Sequence, residues 1–209
     1  MLLVGLTGGV ASGKSIVAQM LVELGAHLID TDQLARKVVE PDRPAWRDIV
    51  ARWGEGILNE DRSINRGKLA QIIFSDPEAR KELEGMTHPR IDEEVKRLVE
   101  ELEYACNGRG IIIIDVPLLY EVNWQDKVDL VIVVYADEDT QIERLLEKRG
   151  MTREEAQARL NSQLPLSEKV KYADFVVDNS GSMQRTGEQV KKIFGELVKY
   201  EKSHHNSDG

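Results

Sequence analysis

The run Gly8-Gly9-Val10-Ala11-Ser12-Gly13-Lys14-Ser15 sets glycines, a lysine and a hydroxyl at the spacing G-x-x-x-x-G-K-[ST]. Glycine leaves no side chain in the way, so a turn of this kind can aim backbone N–H groups at phosphate oxygens. A helix opening near Lys14 would add the positive end of its dipole. Lys14 is placed to reach the β- and γ-phosphates of a nucleoside triphosphate, and the Ser15 hydroxyl to coordinate Mg²⁺. Gly8, Gly9, Val10, Ala11, Ser12, Gly13, Lys14, Ser15 and Ile16 are the expected phosphate-binding residues. The alternative is a glycine-rich turn with no ligand. The flanks argue against it: residues 2–6 form an apolar run, and Val17, Met20, Leu21 and Leu24 recur at helical spacing before Gly25 stops them.

Three carboxylates and two guanidinium groups extend that chemistry from binding to transfer. Asp115 closes the isoleucine run 111–114, where a carboxylate can support Mg²⁺ from outside its direct ligands. Asp30 and Asp32 flank Thr31 at the expected end of the second strand, and residues i and i+2 of an extended segment face the same way. Either can cap the helix that follows. We assign Asp32 as the base that accepts a proton from an attacking hydroxyl, and Asp30 as cap or support. Arg144 and Arg149 stand in a charged helical segment, where a lid could bring them against the transferring phosphoryl group. A solvated charged helix face reads equally well.

The elements that must position these groups follow from periodicity. Short strands are expected at 2–6, 27–29, 111–114, 128–135 and 175–177. Apolar runs such as Ile111-Ile112-Ile113-Ile114 suit strands buried on both faces of a parallel sheet. Residues 44–106 read as mostly helical, with one helix starting at Ser75-Asp76-Pro77 and another at Pro89. The expected fold is α/β: a P-loop NTPase fold with a five-stranded parallel sheet flanked by helices, an inserted helical substrate lobe and a helical lid. The expected division is 1–32 with 111–136 and 173–203 as nucleotide-binding core, 33–110 as acceptor lobe, 137–172 as lid and 204–209 as a disordered tail.

Bulk properties narrow the partners. The 209 residues carry a net charge of −9, so no basic face for nucleic acid is implied. Any anionic ligand must be met by a few focused cations. No apolar run spans a membrane, and no charged leader precedes the first strand. The single cysteine, Cys106, excludes an intrachain disulfide and fits a reducing, cytoplasmic setting.

The order of motifs resembles the dephospho-CoA kinase family over about residues 1–200. The resemblance is carried by Gly5 to Ser15, Asp30-Thr31-Asp32 with Arg36, and His88-Pro89-Arg90-Ile91. It continues through Asp115-Val116-Pro117-Leu118-Leu119-Tyr120-Glu121, then Arg144, Arg149 and Gln163, then Ala173-Asp174 and Asp178-Asn179-Ser180-Gly181. It implies transfer of the γ-phosphate of ATP to the ribose 3′-hydroxyl of dephospho-CoA, with Mg²⁺ as cofactor. It implies Asp32 as base, Lys14 and Arg144 at the phosphates, Asn179 near the adenine, and acceptor contacts from Asp30, Arg36, His88, Leu118 and Leu119. His88 reads equally well as a helix N-terminal residue. Ile16, Ala11, Tyr120 and Thr31 depart from the family's usual threonine, glycine, phenylalanine and alanine, and none removes a proposed catalytic group. Rival readings are another P-loop metabolite or nucleoside monophosphate kinase, and a GTPase-like switch. The Gly-x-Pro-Gly loop of adenylate kinases is absent, and Asp126-Lys127-Val128-Asp129 is a poor match to a guanine-reading motif.

Overall fold

The computed structural model describes residues 1–205, except the side chains of Lys148, Arg149, His204 and His205. It forms two compact units, one of Met1–Ile29 with the chain from Glu103 onward, the other of Asp30–Leu102.

The first unit is built on a sheet of β1 (Leu2–Gly8), β2 (His27–Asp30), β3 (Ile111–Asp115), β4 (Leu130–Tyr135) and β5 (Phe175–Asp178). The strand order is β2-β3-β1-β4-β5. β1 runs parallel to both β3 and β4, and β4 to β5, with Leu6 beside Asp115 on one side and Ile132 on the other. Every residue of β3 is buried, which explains its isoleucine run: side chains on both faces of the pleat need apolar partners. One face packs on α1 (Lys14–Glu23) and α9 (Met183–His205) through Val17, Leu21, Val190, Ile193 and Leu197. This unit also holds α6 (Glu138–Arg149), α7 (Arg153–Asn161) and α8 (Leu166–Val170). The Asp137 carboxylate caps α6, and the Thr140 backbone N–H it accepts holds it below the usual carboxylate range. A Thr152/Glu155 capping box opens α7.

The second unit contains α2 (Thr31–Lys37), α3 (Pro44–Trp53), α4 (Arg66–Ser75) and most of α5 (Pro77–Ala105). Trp46, Ile49, Ile57, Ile64 and Leu69 form its core. Asn65 and Asp76 cap α4 and α5.

Several boundaries differ from the sequence reading. Pro89 lies inside α5 and starts no helix. Proline there removes one helical hydrogen bond, and side chains attend the neighbouring carbonyls: Thr87 Oγ1 donates to Leu83 at 2.8 Å, and the Arg90 guanidinium donates to Met86. His88 therefore sits mid-helix and exposed, not at a helix start. β4 begins at Leu130, two residues later than expected, and α9 continues to His205, beyond the expected start of the tail. Residues 206–209 of that tail lie outside the described residues.

Candidate active site

The turn after β1 combines two left-handed residues, Ala11 at φ 56° and Gly13 at φ 86°. At Gly13 the constraint is double, because a Cβ there would stand 2.1 Å from Asn179 Nδ2. Ala11 carries the same backbone hand with a side chain, at a cost of about 1 kcal/mol.

The turn's carbonyls are held from outside. Gln141 Nε2 donates to the Val10 carbonyl at 2.6 Å. Arg144 Nη1 donates to the Ala11 and Ser12 carbonyls at 3.2 and 3.3 Å, and its Nη2 to the Asn179 carbonyl at 2.7 Å. Asn179 Nδ2 donates to the Ser12 carbonyl at 2.7 Å, while its Oδ1 accepts from Thr186 Oγ1 at 2.9 Å. Gln163 Oε1 accepts from the Val10 amide at 3.1 Å. Ser12 N–H donates to the Gly9 carbonyl and Ile16 N–H to the Gly13 carbonyl. Between Val10 and Ile16, the amides without an acceptor among the described residues are those of Ala11, Gly13, Lys14 and Ser15. Lys14 and Ser15 open α1, where no helical acceptor exists for their N–H groups. Unmatched donors, a helix start and a lysine make an anion site.

Lys14 Nζ ion-pairs with Asp115 Oδ1, and both side chains are mostly buried. β3 lies directly beside β1, which brings the Asp115 carboxylate to the turn. The Ser15 side chain is exposed at the second residue of α1.

Asn179 is 1% exposed, and its amide is hydrogen-bonded on both ends, so it braces the turn. Leu119 is fully buried, and its Cδ1 occupies the space over Gly5, so an acceptor contact from this pair falls to the exposed Leu118. The Arg149 side chain lies outside the described residues. Gln141 and Thr186 escaped the sequence reading. Gln141 stands one helical turn before Arg144 on the same face, a spacing that could have flagged it. Thr186 offered no such signal.

In the second unit, Asp30 ends β2 and caps α2, accepting from the Gln33 amide at 3.0 Å. Helix begins at Thr31, so Asp30 and Asp32 do not share an extended face as the sequence reading had it. Asp32 is exposed on the first turn of α2 and lines a cavity of about 400 Å³. Arg36, Arg66, Ile49, Leu69 and Leu83 line it too. A second cavity, of about 520 Å³, shares Arg36, Val39, Ile64 and Arg66 with the first. The pair offers apolar walls with guanidinium groups, a surface for an anionic molecule with an apolar part.

The family model described as dephospho-CoA kinase matches residues 2–185. A dephospho-CoA kinase of Carboxydothermus hydrogenoformans is 44% identical over 91% of this chain and 92% of its own length. One from Geobacillus kaustophilus is 44% identical over 96% of this chain and 99% of its own. Among solved structures, the dephospho-CoA kinase of Campylobacter jejuni superposes with a TM-score of 0.71 at 27% identity, covering 94% of this chain and 97% of its own. A crystal structure from Thermus thermophilus does so with a TM-score of 0.81 at 31% identity, with the same coverage.

Proposed function

The chain belongs to the dephospho-CoA kinase family, and we infer that it carries out that family's reaction, the last step of coenzyme A synthesis. ATP phosphorylates the ribose 3′-hydroxyl of dephospho-CoA, giving CoA and ADP. The observation that carries this reading is the match of the family model across residues 2–185, which spans both the phosphate turn and the cavities around Asp32.

The amides of Ala11, Gly13, Lys14 and Ser15 take the phosphate oxygens, and the Lys14 ammonium exchanges Asp115 for the β- and γ-phosphates. Arg144 holds the Ala11 and Ser12 carbonyls outward, which keeps the amides turned inward. Its contribution to transfer is exerted through the turn, since catalysis of this kind is mostly positioning and charge stabilisation. The same reading takes 137–172 as the lid and assigns Arg149, whose side chain lies outside the described residues, to the phosphates as a second guanidinium group. The exposed Ser15 hydroxyl is a hard oxygen donor of the type Mg²⁺ takes, and the Asp115 carboxylate would support the ion from outside its direct ligands, since this ion commonly binds through one or two protein groups plus substrate phosphates. An ion held there would supply positive charge against the triphosphate.

Asp32 accepts the proton of the attacking hydroxyl. Arg36 and Arg66 meet the acceptor's diphosphate, and Val39, Ile49, Ile64, Leu69 and Leu83 receive its apolar arm. His88, exposed on α5 next to the cavity-lining Thr87, and Leu118 contribute further acceptor contacts. Asp30 serves the acceptor site through the helix start it caps. The partners are small molecules, and the lone cysteine fits work in the cytoplasm.

Mass analysis of the product from dephospho-CoA, ATP and Mg²⁺, with a panel of other alcohols alongside, tests the reading. The expected result is a single added phosphoryl group at the 3′ position. GTP turnover with no acceptor phosphorylated, or transfer to another alcohol only, would overturn it.

A further inference from the structure

Lys169 lies on α8 with a side chain that is 0% exposed. Its ammonium ion-pairs with Glu121 Oε1 at 2.8 Å, and donates to Glu121 Oε2 at 3.1 Å and to the Pro117 carbonyl at 3.4 Å. Glu121 also accepts from the Leu164 amide at 3.3 Å. One carboxylate, on the loop after β3, thus takes donors from both sides of the start of α8. Pro117 in turn accepts from Thr7 Oγ1 at 3.0 Å, on the strand that leads into the phosphate turn.

The segment held this way touches that turn on its other side. Gln163 accepts from the Val10 amide, and Leu166 packs so closely on Gly9 that a Cβ there would lie 3.0 Å from Leu166 Cγ. A buried ammonium is costly to desolvate, and a methionine of similar length would fill the same space without that cost. What methionine cannot do is fix direction: the ammonium donates to the Glu121 carboxylate and the Pro117 carbonyl at once.

We propose that Lys169 is a positioning residue for the phosphate turn, latching residues 163–170 to the Pro117–Glu121 loop so that Gln163 and Leu166 hold Val10 and Gly9 in place. The proposal rests on the reading of that turn as the ATP site. Its main effect is on ATP use, and it gives the loop that begins at Asp115 a task in holding the turn.

Lys169→Met and the double variant Lys169→Met/Glu121→Met test it. The double variant holds no unpaired buried charge, so it carries the test where the single one folds poorly. Amide exchange read by NMR should show the Val10 N–H exchanging about tenfold faster or more, a loss on the scale of a hydrogen bond to a charged group. Ile132 and Val133, in the middle of the sheet, should exchange as before. KM for ATP should rise by more than kcat falls and by more than KM for dephospho-CoA changes, and these effects should persist in the double variant even where its Tm recovers. Unaltered Val10 exchange, or a double variant with wild-type exchange and wild-type KM for ATP, overturns the proposal. Val10 exchange needs no substrate, so it separates failure of the latch from failure of the assigned reaction.

Discussion

The phosphate turn and the unit Asp30–Leu102 handle polar groups in opposite ways. Around the turn they are buried and, the Ser12 hydroxyl apart, paired: Gln141 is 4% exposed, Asn179 1%, and each has a partner on the turn. In the helical unit they sit at the surface. Arg52 and Glu82 pair at 2.6 Å with both side chains nearly half exposed, and Arg97 reaches Glu94 and Glu101 from an equally open position. Hydrogen bonding to Arg97 first, then to Lys37, keeps the Glu94 carboxylate below its ordinary range. Exposed pairs of this kind add little stability. Buried polar bracing fixes a geometry before any ligand arrives, and surface charge leaves side chains free to adjust. The phosphate turn is therefore preset, and the helical unit, the acceptor site in the proposed function, keeps Asp32 and Arg36 in the open.

That contrast breaks most sharply at Asp32. Asp32→Asn leaves the turn and its bracing untouched, so kcat should fall on the order of 10²–10⁴-fold with KM for ATP little changed. Steady-state kinetics with both substrates varied reads this directly. A near-normal kcat would reduce Asp32 to a first-turn acid of α2.

Asn179→Ala probes the other side. It strips the Ser12 carbonyl of one donor and leaves the Thr186 hydroxyl only the longer contact to the Ser182 carbonyl at 3.3 Å, in a place closed to solvent. Stability should fall by about 1–3 kcal/mol, and KM for ATP should rise. Denaturant unfolding and ATP kinetics together decide. An unaltered midpoint would mean that the turn holds itself and the contrast between the regions is empty.

Arg66→Ala sharpens the acceptor half. Arg66 is exposed and lines both cavities of its unit. KM for dephospho-CoA should rise on the order of tenfold, the loss of one charge-assisted contact, while KM for ATP stays put. A shift in both constants would show that the two sites are not separable in this way.

How much of this the sequence disclosed follows the same divide. The turn, its strand and its helix were legible, because glycine spacing and apolar runs are local signals. Asp115 was legible from its place at a strand end. The bracing was not: Gln141 reaches the Val10 carbonyl from 131 residues away in sequence, Thr186 acts through Asn179, and each reads as an ordinary polar residue on a helix. In the helical unit the heptad-like spacing of Trp46, Ile49 and Trp53 gave α3, but Pro89 misled, because side chains can attend to the carbonyls around an interior proline. The Asp-x-Asp geometry also misled, since Asp30 ended the strand one residue before the helix and the two acids took different backbone states.

Tyr120 marks the edge of the braced region and gives the smallest effect. Its hydroxyl is buried with no hydrogen-bond partner among the described residues, whereas Gln141 and Asn179, which hold the turn, are paired. Burial first, and the charge of Asp174 second, push its phenol from 10.0 up to about 12. An unfolded chain releases that proton near pH 10 while the folded chain keeps it, so the stability present below about pH 10 drains away as pH climbs toward 12. Tyr120→Phe keeps the ring contact with Tyr172, whose centroid is 6.0 Å away, and removes the unpaired hydroxyl. At pH 7 the variant should match or exceed the wild type by up to about 1 kcal/mol. Between about pH 10 and 12 its unfolding midpoint should fall less than that of the wild type. Parallel slopes for the two proteins across that window would mean that the hydroxyl finds a partner in solution, and that the bracing reaches further along the Pro117–Glu121 loop than the turn alone requires.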